Sequence, residues 1–225
     1  MLAGEILIGG KQDRVLKEDV LLPPLSGPRN IGVFCVEQGR WSATGSTHFK
    51  TEGMVAAPSL RHQLMDKADQ RQVWSEVDRA ARAAAAPPAT GSSYQRVYAA
   101  PDVKRQLQDV ERAIDPSKMA GALGAAVFVG TRLAGIDAFR DMTLFARQWP
   151  KLLRAYAVDA LRAPGAAGDV APLRARTLET LRAVASASGT AHGNAGVGHV
   201  FEFPVVTARG SALIAESQVI HLALL

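Results

Sequence analysis

The hydrophobic spacing changes twice along the chain, and this constrains the fold more than any other feature. Short β-branched and apolar runs stand at both ends, and helix-period stripes stand between them. Residues 5–22 read as strand material: Glu5-Ile6-Leu7-Ile8, broken by Gly9-Gly10, then Val15-Leu16 and Val20-Leu21-Leu22. Pro23-Pro24 and Ser26-Gly27-Pro28 force a turn, and Ile31 to Gln38 reads as a second strand. From Pro58 the period becomes helical, with Leu60/Leu64 and then Val73, Trp74, Val77 and Ala81. These two stripes are out of phase, so a break is expected near residues 67–70. Residues 87–100 read as a loop, and Val103, Leu107, Val110 and Ile114 mark an amphipathic helix after Pro101.

Ala125 to Val129 and Leu133 to Ile136 predict a hairpin over Gly130-Thr131-Arg132. Phe145, Trp149, Leu152, Leu153, Tyr156 and Ala160 predict a helix in which Pro150 is a kink or a fresh start. Trp149 and Tyr156 are expected in its core face. Leu173, Leu178, Leu181 and Val184 mark one more helix. Ser188 to Gly198 reads as a loop, and three closing strands follow to Leu225. The order predicts an α+β fold: a largely antiparallel sheet from the N- and C-terminal strands, with a helical middle section packed against it. One domain over residues 1–225 is expected from the 225-residue length.

Charge narrows the function classes. The net charge is +5, but residues 1–60 balance at six basic and six acidic side chains, and residues 163–225 at four of each. The excess lies in residues 61–162, sixteen against eleven, with the signs interleaved as on solvated helix faces. No basic run is interleaved with aromatics, which weighs against nucleic acid. No apolar run is long enough for a membrane span, and no secretory leader is visible, so a soluble, cytoplasmic protein is expected. Five histidines without metal-ligand spacing and one cysteine predict no metal site. Cys35, within Val33-Phe34-Cys35-Val36, reads as a small buried hydrophobe rather than a nucleophile. No cofactor is indicated. The glycine-rich stretch Gly193 to Gly198 precedes a strand, where a dinucleotide loop would need a helix.

Polar groups concentrate in two places, Gly9-Gly10-Lys11-Gln12-Asp13-Arg14 and Glu37-Gln38-Gly39-Arg40-Trp41. Each lies at a strand end, where a rigid scaffold presents loops. Only a Pro/Gly turn separates their strands, so the two are expected side by side. Lys11, Gln12, Arg14 and Arg40 are candidate ligand-binding groups, and Trp41 is a candidate stacking surface. Glu37 and Asp137 are candidate acid/base groups. The competing reading is a lattice, such as Glu37 with Arg14 or Arg40, that only fixes strand register.

Several of these motifs together resemble a known family. Gly4-Glu5 with residues 9–16 resembles the opening of the ARPP domain, named for association with ADP-ribosylglycohydrolase (ARG) and rhodanese/phosphatase-superfamily proteins. Cys35 to Trp41 is similar to its second signature. Further matches follow in order: Ala68-Asp69-Gln70 with Val73-Trp74, Gly135 to Phe139, Pro150 to Leu153 with Tyr156 to Ala160, Gly210 to Leu213, and Val219 to Leu222. The resemblance implies no assigned reaction. It points to a phosphorylated or nucleotide-derived small-molecule ligand, or to an accessory module that binds a partner protein. Family members carry a segment ahead of the Gly-Glu motif. The resemblance therefore implies a shortened N-terminus here, with the first strand left as an edge.

Overall fold

The computed structural model describes residues 1–39, 48–66, 69–86, 92–114, 119–162, 166, 168–205 and 208–225. In chain order the strands are β1 (Glu5–Gly9), β2 (Arg14–Leu16), β3 (Val33–Cys35), β4 (Glu37–Gln38) and β5 (Phe49–Val55). Helices α1 (Pro58–Met65) and α2 (Gln70–Ala83) follow, then β6 (Ser92–Ser93), α3 (Gln95–Ala99) and α4 (Pro101–Ala113). The hairpin β7 (Gly124–Val129) and β8 (Arg132–Phe139) leads into α5 (Met142–Arg162) and α6 (Val170–Ala185). The chain closes with β9 (Thr190–Gly193), β10 (His199–Val205), β11 (Ala208–Ala215) and β12 (Gln218–Leu224).

The fold is α+β, and every strand pairing among the described residues is antiparallel. The strands divide into two principal sheets, ordered β3-β2-β1-β5 and β7-β8-β12-β11-β10-β9, with β4 and β6 as a separate pair. Helix α5 lies between the two sheets and packs on β5, β7, β8, α1 and α4. One core joins Ile6 and Val15 to the inner faces of α1–α4. A second joins Phe145, Leu152 and Tyr156 of α5 to Ala134 and Phe139 of β8. On the far face of the larger sheet, Phe203, Ile136 and Leu224 meet the half-buried side of α6.

Local sequence accounts for most element boundaries. The expected break separates α1 from α2. Asp69 starts α2 with a reciprocal capping box: its carboxylate accepts from Gln72 N–H at 2.9 Å, and Gln72 Oε1 accepts from Asp69 N–H at 2.7 Å. Helix α5 runs through Pro150 as one element. Pro150 and Ala146 are both exposed, so the carbonyl left without its helical donor faces water. Tyr156 is buried and Trp149 half-buried, its ring 5.5 Å from that of Phe145.

Several expectations are corrected, and the strand expected over Ile31 to Gln38 is divided into β3 and β4, which pair in different sheets. Strand β1 is no edge, because β2 and β5 flank it. Residues 92–99 form β6 and α3, where Tyr94, Val97 and Tyr98 bury an i, i+3, i+4 face that the small-residue composition masks. Residues 20–22 lie outside any strand. Within Ser188 to Gly198, residues 190–193 form β9, an exposed edge strand held by backbone pairing to β10. Glycine permits this approach, since a Cβ on Gly189 would lie 2.1 Å from Glu202 O. Cys35 is half-buried because β3 is an edge. Gln70 takes the place of a neighbouring strand, bonding Cys35 N–H at 2.9 Å and Cys35 O at 2.7 Å.

Candidate functional site

Residues 9–14 and 37–38 stand side by side. Arg14 pairs with Cys35 across β2 and β3, and Glu37 Oε2 accepts from Asp13 N–H at 3.0 Å. The Asp13 carboxylate accepts from Ser93 Oγ at 2.8 Å, Gly9 N–H at 3.3 Å and the Gln95 amide. Arg14 Nη1 donates to Gln12 O at 2.8 Å and Asp13 O at 3.2 Å, and its guanidinium lies over the Phe49 ring. Gln12, Asp13 and Glu37 are buried, while Lys11 is exposed. Arg40 and Trp41 lie outside the described residues.

Asp137 stands in a different cluster, wholly buried on β8. It accepts from Arg61 Nη2 at 2.7 Å and Nη1 at 3.0 Å, and from Tyr156 Oη at 2.6 Å. His221 Nε2 lies 3.0 Å from Asp137 Oδ1, and His221 Nδ1 lies 2.6 Å from Asp19 Oδ2. Asp19 also accepts from Ala3 N–H at 2.7 Å. One guanidinium, one imidazolium and two carboxylates therefore balance in charge. Burial works against the charge on His221, yet Asp19 and Asp137 raise its pKa to about 9. Burial likewise opposes charge on Asp137, and Arg61 with His221 holds it far below the ordinary carboxylate range. Asp19 is lowered against burial by His221 and by the Ala3 amide. The cluster joins the segment after β2 to α1, β8, α5 and β12, so it fastens the two sheets and two helices together.

Sequence reasoning singled out Asp137 and passed over its partners. Arg61 looks like an ordinary helix-surface charge beside Leu60, and His221 has no spacing that marks a ligand. The available signal was one titratable residue flanked by apolar neighbours in each strand, Asp137 between Ile136 and Ala138 and His221 between Ile220 and Leu222.

A cleft of about 650 Å³ opens beside this cluster. Ser59 and His62 of α1, Arg132 and Gly135 of β8, Asp159 of α5 and Arg176 of α6 line it, with Leu133, Leu224 and Leu225 among its apolar walls. Asp159 caps α1 from a distance, accepting from Ser59 N–H at 2.7 Å and Ser59 Oγ at 2.9 Å. Arg176 Nη1 donates to Thr131 O at 3.0 Å, which holds its guanidinium at the β7–β8 turn next to Arg132. The Arg132 guanidinium has no bonded partner among the described residues, so it is free to meet water or an anion. Lys11, Gln12, Arg14 and Glu37 do not line this cleft. Asp137 lies two residues beyond Gly135 on the same face of β8, deeper than the lining.

Gly135 separates cleft from cluster. A Cβ there would lie 2.6 Å from Tyr156 Oη and 2.7 Å from Leu224 O. Gly135→Ala is therefore expected to lower stability by about 1–3 kcal/mol, the usual cost of overpacking, read from a urea denaturation curve. An unchanged midpoint would show that the strand gives way freely.

Among the described residues no group of His, Cys, Asp or Glu is arranged to hold a metal ion, and no helix is long and apolar enough to cross a membrane. No curated protein and no solved structure matches the chain. One family model does match, and it covers residues 1–225. The match spans the N-terminal glycine motif, the buried cluster and the cleft alike, and on that ground the chain belongs to the ARPP-1 family, the ARG and Rhodanese-Phosphatase-superfamily-associated Protein domain.

Proposed function

We propose that the chain binds a phosphorylated small molecule in the cleft between α1, β8 and α6. One observation carries this reading: Arg132, Arg176 and His62 converge on a single concavity whose carboxylate, Asp159, is already engaged by Ser59. Two guanidinium groups fit the oxygens of a phosphate, and the apolar walls fit the body of an organic ligand. By contrast, the bonds of Asp13, Arg14 and Glu37 run within the protein, which supports a register-fixing role for residues 9–14 and 37. Asp137 is read in the same way, as a structural carboxylate. The interleaved ion pairs on the helices, Arg105 with Asp102 and Arg112 with Asp109, favour a small anion over nucleic acid.

A second reading, an accessory module for a partner protein, draws on α6. None of its residues is buried, and Val170 and Leu178 are exposed. The family description, which names an association with a protein superfamily, suits it.

Calorimetric titration with a nucleoside 5′-monophosphate at fixed ionic strength separates the two readings. Arg132→Ala and Arg176→Ala are each expected to weaken binding about tenfold or more, since a charge-assisted hydrogen bond contributes roughly 1.5–3 kcal/mol. Wild-type binding that survives both substitutions would move the ligand elsewhere. No binding at all would favour the partner-protein reading.

A further inference from the structure

We propose that the cleft hydrolyses a phosphomonoester, with His62 carrying the proton, an inference that rests on reading the cleft as a phosphate site. Ser59, His62 and Asp66 are spaced i, i+3 and i+7, so they share one face of α1 and its cap. Asp66 Oδ2 lies 3.1 Å from His62 Nδ1, and Asp66 Oδ1 pairs with Arg209 of β11. The carboxylate is thus pinned from two sides. Its backbone N–H donates to His62 O at 3.0 Å, which fixes the end of the helix as well. A carboxylate on Nδ1 selects the tautomer with its proton there and leaves the lone pair on Nε2. Nε2 has no bonded partner among the described residues, and the ring, 42% exposed, lines the cleft that Arg132 and Arg176 enter.

The chemistry balances with water as the only co-reactant. Phosphate oxygens rest on Arg132 and Arg176, which offset the charge of the transition state. A water oxygen forms a bond to phosphorus and gives a proton to His62 Nε2. The ester P–O bond breaks on the side opposite the incoming water, with its electron pair on the alcohol oxygen, which takes a proton from solvent where its basicity requires one, and His62 then returns its own proton to solvent. The products are inorganic phosphate and an alcohol. Ser59 shares this face, but its hydroxyl donates to Asp159 within the helix cap, so water is the nucleophile of the step. His62 is the catalytic residue, and Asp66 is its positioning residue.

The test uses p-nitrophenyl phosphate as substrate across a pH series, with inorganic phosphate titrated calorimetrically in parallel. Wild type should release p-nitrophenolate. His62→Gln should lower kcat by about 100-fold or more. Its KM should stay within about twofold, its melting temperature should not change, and the acidic limb of the rate profile should disappear. Asp66→Asn should lower kcat about tenfold and displace that limb, an effect that a merely structural role would not produce. Phosphate binding without turnover would overturn the hydrolytic step and leave the binding reading intact. Turnover unchanged in His62→Gln would overturn the role of His62. Neither binding nor turnover would remove both the inference and the reading beneath it.

Discussion

Asp137→Ala is expected to cost about 3–5 kcal/mol of folding free energy, because it strands a buried guanidinium. Folded proteins are typically stable by only about 5–15 kcal/mol, so the variant should melt far earlier or fail to accumulate. Arg61 is 1% exposed, both its Nη atoms bond Asp137, and its buried Nε has no hydrogen-bond partner among the described residues. Removing the carboxylate also takes the acceptor from Tyr156 Oη and one of the two carboxylates that hold His221. Tyr156→Phe removes a single bond to the same carboxylate and should cost less, about 1.5–3 kcal/mol. Urea denaturation orders the two variants. An Asp137→Ala protein as stable as wild type would mean that the cluster does not fasten the sheets.

The second large effect is a dependence of stability on pH. His221 has a folded-state pKa of about 9, above the ordinary imidazole value of about 6.5. A raised pKa means that the folded state holds the proton more tightly. The contribution of this group is therefore complete below pH 6.5 and is lost as pH rises through about 9. Asp137 and Asp19 are lowered, so their contribution is complete above the ordinary carboxylate range and is lost as pH falls below that range toward their lowered folded values. Denaturation midpoints should fall between pH 6.5 and 9 in wild type and stay flatter in His221→Gln. Equal slopes for the two proteins would show that His221 is not the charged member of the cluster.

How much of this was legible in the sequence depends on whether a signal is local. The capping box at Asp69, the hairpin around Gly130 and the amphipathic face of α4 each rest on residues within a few positions of one another, and each can be read directly. The hairpin loop is shorter than expected, since Arg132 pairs with Val129 and only residues 130–131 turn. Strand β9 could not be read, because Thr190 to Gly193 bury no side chain and only their partner strand makes them a strand. The division into two sheets is likewise a long-range fact, set by α5 passing between them.

The candidate site shows the same limit. Residues 9–14 and 37 stood out because their polar groups are adjacent in sequence, and in the fold those groups bond one another. The cleft draws Ser59, His62, Arg132, Asp159 and Arg176 from four separate elements, each contributing one or two ordinary surface residues. Adjacency in sequence made the register-fixing cluster conspicuous, whereas the cationic concavity depends on tertiary packing alone.

Amide chemical-shift mapping decides between this cleft and the glycine-flanked cluster as the ligand site. A nucleoside 5′-monophosphate is titrated into ¹⁵N-labelled protein at constant salt. Binding in the cleft should give saturable shifts centred on Ser59, His62, Arg132, Gly135 and Arg176, with residues 9–14 and 37–39 unmoved. Shifts confined to residues 9–14 and 37–39, with the cleft silent, would contradict it.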